Sequence, residues 1–206
     1  VYTIVFSFIL KTNIERYYLY LFVALIPWIF FSSSITVGSA SIVAQKDLIK
    51  KIYFPRMVIP ISYVTSSFVN MLLCFIVIFA VIIVSGAGIN FLALLTLPVI
   101  MLVEYILALG MAMLTSAITV YFRDLEHILG IVTMAWMYMT PIMYDKSIVP
   151  ENLMPIFNLN PMTHVIECYR AVLYEKKIPD LTTLLSAAGL GILILIVGIL
   201  VFNKLQ

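Results

Sequence analysis

Five intervals of the chain carry no Asp, Glu, Lys or Arg: 17–45, 57–103, 105–122, 128–144 and 181–203. A helix crossing the hydrocarbon core needs about 20 mostly apolar residues, and these intervals supply them. The interval 57–103 is too long for one crossing, and Ser85-Gly86-Ala87-Gly88-Ile89-Asn90 sets turn-forming residues at its centre. The pattern predicts helices near 19–43, 58–84, 91–120, 125–144 and 182–203, five complete spans. Val1 to Leu10 is apolar but too short to cross alone. It has no basic stretch and no small-residue cleavage site, so it reads as the outer half of a further, first span that starts upstream rather than as a signal peptide.

Composition narrows the class. Of 206 residues, 64% are hydrophobic and 11% charged, and the mean hydropathy is +1.14. Soluble domains carry about 25% charged residues. Twelve Lys and Arg against ten Asp and Glu leave a net charge of +2, which gives no polybasic surface for nucleic acid. Cys74 and Cys168 make no disulfide framework. A soluble enzyme, a nucleic-acid-binding protein and a disulfide-stapled domain are excluded. The expected fold is all-α: a polytopic membrane protein with one transmembrane domain over 1–206, six helices in all with the first truncated.

Charge in the loops orients it. Alternation puts Lys46, Lys50, Lys51, Arg56, Arg123 and Lys204 on one side and Lys11, Arg16, Lys146, Arg170, Lys176 and Lys177 on the other. The counts are equal, but the segment 45–56 concentrates its cations in one short loop. This places 45–56, 121–127 and the C-terminus in the cytoplasm.

The loop from Gln45 to Arg56 reads as a short amphipathic helix. Leu48, Ile49, Ile52 and Tyr53 share a face, Lys46 and Lys50 another, and Asp47 stands four residues before Lys51 as an ion-pair partner. Pro55 ends it. Such a helix is either a lever moved by a partner protein or an interfacial anchor. In the next turn on that side, Asp124 is placed to cap the following helix. His127 has no second metal-binding residue nearby and reads as a solvated turn residue.

The external stretch 145–180 contains more than a loop. Asn160-Pro161 is a helix start, a capping side chain followed by proline at the first helical position. Met162, Val165, Ile166, Tyr169, Val172 and Leu173 then repeat with helical period, with His164, Glu167 and Arg170 opposite them, Arg170 hydrated and paired with Glu167. Pro141, Pro150 and Pro155 punctuate the approach. The segment is either a re-entrant gate or a helix lying flat on the outer leaflet.

Inside the spans, chemistry is sparse. Glu104 is the one ionisable residue well within a span, which calls for a polar interior, protonation or a hydrogen bond to a neighbouring helix. Ser32, Thr36 and Ser39 share a face, as do Thr133, Trp136, Thr140 and Met143, and Tyr2 and Phe6. Such stripes could line a path for sugars or cement helix packing, as the small residues of Ala108-xxx-Ala112-xxx-Ser116 and Ala187-xxx-Gly191 do. No Walker A sequence occurs. Thr36-Val37-Gly38-Ser39-Ala40 lacks the end of a potassium-channel filter, and no intramembrane histidine supports a serine protease.

Taken in order, Leu48-Ile49-Lys50-Lys51-Ile52-Tyr53-Phe54-Pro55-Arg56, Tyr121-Phe122-Arg123-Asp124, Thr140-Pro141-Ile142-Met143-Tyr144, Asn160-Pro161 and Tyr169-Arg170 resemble the membrane subunit of the ABC exporters of bacterial polysaccharides, O-antigens and teichoic acids. The resemblance covers nearly the whole chain, apart from an N-terminal amphipathic helix and the start of the first span. It implies a homodimer of six-span subunits in the bacterial cytoplasmic membrane around a channel for a lipid-linked glycan. Two cytoplasmic ATP-binding subunits would hold the ATP and Mg, and this chain would carry no cofactor, no metal and no catalytic residue. The resemblance makes Lys46–Phe54 the coupling helix, so that Lys46, Lys50, Lys51, Ile52, Tyr53, Phe54 and Arg56, with Arg123 and Asp124, meet the ATPase. Segments 149–158 and 161–174 become outer gate helices, with Pro141, Asn160, Pro161, Tyr169 and Arg170 as gate residues. Tyr2, Phe6, Ser32, Thr36, Glu104, Trp136 and Tyr144 are the channel candidates. An exporter of a drug or small lipid shares this architecture. An ion-coupled secondary transporter would want two related halves with broken helices, and a membrane enzyme would want clustered His, Asp or Glu; neither pattern is present.

Overall fold

The computed structural model describes residues 16–51, 53–86, 88 and 90–205, and Tyr2, Phe6 and Ile52 lie outside them. The described residues are helical with no strand. Among the described residues, four helical segments are long and apolar enough to cross a membrane: Tyr17–Lys51, Val58–Val84, Phe91–Thr119 and Leu181–Leu205. The first comprises α1 (Tyr17–Ala44) and, after a turn at Gln45, α2 (Lys46–Lys51). The second is α3 (Val58–Val84). The third is split into α4 (Phe91–Leu94) and α5 (Leu97–Thr119). Pro98 has no N–H to offer the carbonyl of Leu94, so the expected single helix over 91–120 breaks there.

The expected span over 125–144 is shorter than the hydropathy suggested. α6 runs only over Leu125–Tyr138, about 21 Å at 1.5 Å per residue. Pro141 explains the stop: it cannot donate to Met137, and Thr140, the residue before it, closes the turn instead by donating to Met137 O at 3.3 Å. Two 3-10 turns at Lys146–Ile148 and Glu151–Leu153 lead to α7 (Met154–Leu159) and α8 (Pro161–Leu173). α9 (Leu181–Leu205) closes the chain.

α5 is the central helix, packed against α1, α3, α8 and α9. Small residues set its closest approaches. A Cβ on Gly110 would stand 2.6 Å from Leu195 N, and one on Gly198 would overlap the carbonyl of Gly110. On the other side of α5, a Cβ on Gly38 would stand 2.8 Å from the Ala112 methyl. Gly191 meets Leu107 and Val103, so the Ala187–Gly191 stripe does cement helices. The outer faces of α3, α6 and α9 stay apolar and exposed, through Leu73, Ile76 and Val77, through Ile131 and Met134, and through Leu193, Ile196 and Leu200. In water such surface would drive aggregation; in a bilayer it meets lipid or another helix.

The loop after α3 turns at Gly86 and Gly88, whose φ of 61° and 77° favour glycine. Asn90 then caps α4 with its side-chain oxygen on the N–H of Leu92 and donates to Lys176 O at 3.0 Å. This joins Asn90 to the loop at Lys176 at one end of the bundle. At the other end, Tyr121 donates to Leu205 O at 2.9 Å and joins the α5–α6 turn to the end of α9.

Candidate functional site

The end of the bundle that holds α2 gathers most of the expected coupling residues, but not as one lever. α2 stops at Lys51, so the expected helix through Phe54 is shorter, and no ion pair forms between Asp47 and Lys51 among the described residues. Its six residues divide between two faces, as spacings of three and four require. Lys46, Ile49 and Lys50 turn inward, and Asp47, Leu48 and Lys51 do not line that side. Lys46, Lys50, Arg56 and Arg123 meet Ile42, Val43, Ile49, Val120 and Leu205 around a cavity of about 330 Å³. Ile49 and Phe54 pack against the chain's own cluster of Ile42, Ile59, Met113, Ala117 and Phe202. The expected shared apolar face is therefore divided: Ile49 faces the protein, while Leu48 and Tyr53 are exposed. Asp124 sits at the start of α6, but its side chain makes no capping bond; its carbonyl accepts from His127 and Ile128 instead.

The opposite end is held by aromatic and polar contacts among α1, α6 and α8. Trp136 meets Trp28 and Phe31 edge-on at ring distances of 6.4 and 5.3 Å. Trp28 lies about 16 Å along α1 from Tyr17. Asn160 joins the start of α8 to this level: its Oδ1 accepts from Trp136 Nε1 at 3.1 Å and from Met162 N, and its Nδ2 donates to Thr140 Oγ1 at 2.9 Å. The cap expected at Asn160-Pro161 is thus also a tether. From there α8 climbs to the level of Tyr20, where Arg170 stacks on the Tyr20 ring, its guanidinium carbon 3.6 Å from the centroid.

Arg170 departs from expectation. It is buried rather than hydrated, donates to Ile142 O at 2.7 Å, and its Nε has no hydrogen-bond partner among the described residues. Burial lowers its pKa, with Tyr20, Asp145 and Glu167 drawing it back up. Glu167 pairs instead with Lys146 at 2.8 Å. The backbone it holds is the non-helical 141–144 segment, which Tyr17 and Tyr20 also grip by donating to Met143 O and Tyr144 O at 2.9 and 3.0 Å. Pro141 is buried under this clasp, and Tyr144 donates to Tyr138 O. Tyr17, Tyr20 and Trp28 were not among the expected site residues. The aromatic run at the head of α1 was their only sequence signal.

Tyr169 lies on the inner face of α8, fully buried, and donates to Glu104 Oε2 at 2.7 Å. This is the neighbouring-helix hydrogen bond that a carboxyl inside a span requires. The other Glu104 oxygen has no partner among the described residues. Ser32 and Thr36 are half-buried, and their hydroxyls donate to carbonyls of their own helix.

Residues 1–174 match the family of ABC-2 type transporters. The chain belongs to that family. Curated relatives agree. It is 32% identical over 206 residues to an O-antigen export system permease protein RfbA of Klebsiella pneumoniae, covering 100% of this chain and 79% of that protein. It is 30% identical over 197 residues to an O-antigen export system permease protein RfbA of Myxococcus xanthus, covering 95% of this chain and 75% of that protein.

Proposed function

We propose that this chain is the channel subunit of an ATP-driven exporter that moves a cell-surface polysaccharide outward across the bacterial cytoplasmic membrane. The observation that carries this reading is near-full-length similarity to proteins named O-antigen export system permeases, in a chain with several spanning helices and no Walker A sequence. A partner subunit then binds ATP and Mg and performs the hydrolysis.

Finer features belong to the same proposal. Two copies of this chain and two ATP-binding subunits form the transporter, and the glycan, an O-antigen or a teichoic acid, travels attached to a lipid. The α2 end and the C-terminus face the cytoplasm. α6 with the 139–144 segment makes the fifth of six membrane helices. α8 is a re-entrant gate helix, a reading supported by its start beside Trp136, below the level of Tyr20. Trp136 and Tyr144 lie where an emerging sugar chain would pass. Leu48 and Tyr53, exposed beside Lys51, are the groups that a partner's groove would take.

The test is purification of the full chain from its native membrane in detergent. A soluble ATP-binding protein comes out with it in equal number, and the separated chain binds no nucleotide. Nucleotide binding by the separated chain, with no such partner, would overturn the proposal.

A further inference from the structure

α7 is weakly held. None of its residues is buried, and Ile156 and Leu159 are exposed. It packs chiefly on α8 and on the turn at Glu151–Leu153. Phe157 meets the Tyr144 ring edge-on at 6.5 Å, and the Asn158 carbonyl near its end lies 2.7 Å from His164 Nε2. His164 stands on α8 with its side chain only 12% exposed. Its Nδ1 is buried without a hydrogen-bond partner among the described residues, 3.9 Å from Glu167 Oε2.

A carbonyl oxygen only accepts, so the proton of a neutral imidazole sits on Nε2 and leaves Nδ1 a bare acceptor. The oxygen it faces is a carboxylate's, another acceptor. A neutral His164 therefore keeps one buried nitrogen unsatisfied beside a negative charge. A second proton reverses this. Nδ1 becomes a donor, and closure from 3.9 Å to about 2.8 Å makes a charge-assisted bond. The protonated ring then joins the end of α7 to Glu167, and through it to Lys146, which holds Glu167 Oε1 at 2.8 Å.

The charges around this ring oppose and favour the proton in a definite way. α8 brings Glu167 and Arg170, the turn at Lys146–Ile148 brings Lys146, and Asp145 precedes that turn. α7 has no charged residue, and Glu151 lies on the turn before it. Tyr20 of α1 and Glu104 of α5 meet α8 at Arg170 and Tyr169 instead. α4 has no charge, and the one charge of α9, Lys204, is at its far end. Lys146 and Arg170 oppose a proton on His164. Glu167, the acid beside Nδ1, favours it.

We propose that His164 is a proton-operated tether: protonated, it fastens α7 to α8 through Glu167, and neutral, it holds α7 by the Asn158 bond alone. The tether is strongest in acid and is lost as pH rises through the range in which imidazoles titrate, about pH 5–8. Its consequence for export rests on the outward placement of this end: the tether then senses the pH outside the membrane and keeps the exit covered in acid.

The experiment uses the complete transporter, permease with its ATPase, in nanodiscs. A pH-insensitive nitroxide is attached at Ile156→Cys, with all other cysteines replaced, and its mobility is read by electron paramagnetic resonance. Between about pH 5.5 and 8.5 the mobile fraction is expected to rise about threefold or more. His164→Gln, which can still donate to the Asn158 carbonyl but cannot titrate, should flatten the response. Glu167→Gln should shrink it. Lys146→Met, which frees the carboxylate for His164, should move the midpoint to higher pH, a shift that a merely structural histidine would not produce. A flat wild type, or a His164→Gln variant that responds like wild type, overturns the proposal. So does a midpoint left in place by both Glu167→Gln and Lys146→Met, which would put the titrating group elsewhere. Export is scored separately in cells. Normal surface glycan without this chain defeats the export reading and leaves the tether standing, whereas a pH-independent α7 defeats the tether and leaves export standing.

Discussion

Glu104 and Tyr169 form one of the few polar contacts between spanning helix and outer segment, and both side chains are fully buried. Removing the phenol hydroxyl would leave the whole carboxyl without a protein partner, at a cost of about 1–3 kcal/mol. Tyr169→Phe is therefore expected to lower the thermal midpoint of the detergent-solubilised protein by several degrees. Glu104→Gln should stay near wild type, because the amide oxygen can accept the same bond. Equal midpoints for wild type and Tyr169→Phe would show that this bond contributes nothing. The need for a partner to Glu104 was legible in the sequence, since a lone carboxyl in a span must be satisfied. Its identity was not, because Glu104 and Tyr169 meet only through the packing of α8 on α5. The burial of Arg170 was illegible in the sequence for a related reason. Helical periodicity put it opposite the apolar stripe, yet the non-helical 141–144 segment folds over that face and supplies a carbonyl, while Tyr20 supplies a ring.

Among the elements, α2 carries the sharpest test of coupling. Its outward groups are Leu48 and Tyr53, while Phe54 is packed into the cluster of Ile59, Met113 and Phe202. Leu48→Asp and Tyr53→Asp are expected to leave membrane insertion and thermal stability unchanged and to abolish substrate-stimulated ATP hydrolysis in the assembled transporter. Phe54→Asp should instead destabilise the chain by about 2 kcal/mol or more, since it sets a carboxylate against apolar neighbours. Wild-type stimulation in both outward variants would make the segment an interfacial anchor only. The helix itself was readable from period and from Pro55. Which of its two faces met the protein was not, because α2 lies between the ends of α1 and α3, and tertiary packing made that choice. The early stop of α6 is similar: the absence of charge over 128–144 marked an apolar segment, and Pro141 within it decided where the helix ended.

At the scale of the whole molecule, α5 is the axis on which the other spans are assembled, and its contact with α9 depends on two glycines facing each other. Gly198→Leu would drive a side chain into the carbonyl of Gly110, where backbone cannot yield cheaply. Overpacking of this kind costs about 1–3 kcal/mol, more where backbone must move. The variant is expected to insert but to aggregate on extraction, whereas Gly189→Ala, which meets open space, should behave as wild type. Equal recovery of both would remove the glycine seam from the account. The membrane class and most spans were legible from charge-free intervals, whereas these approaches depend on helix register and not on composition.

Whether this subunit carries a polysaccharide across the membrane is decided by depleting it in its native cell. Placed under a repressible promoter, the chain is withdrawn while surface and intracellular glycan are quantified together by labelling intact and lysed cells. Surface glycan is expected to fall as the protein is diluted, while the same glycan accumulates on the cytoplasmic face and clears when expression returns. Undiminished surface glycan, or loss at the surface with no internal accumulation, would contradict export by this subunit.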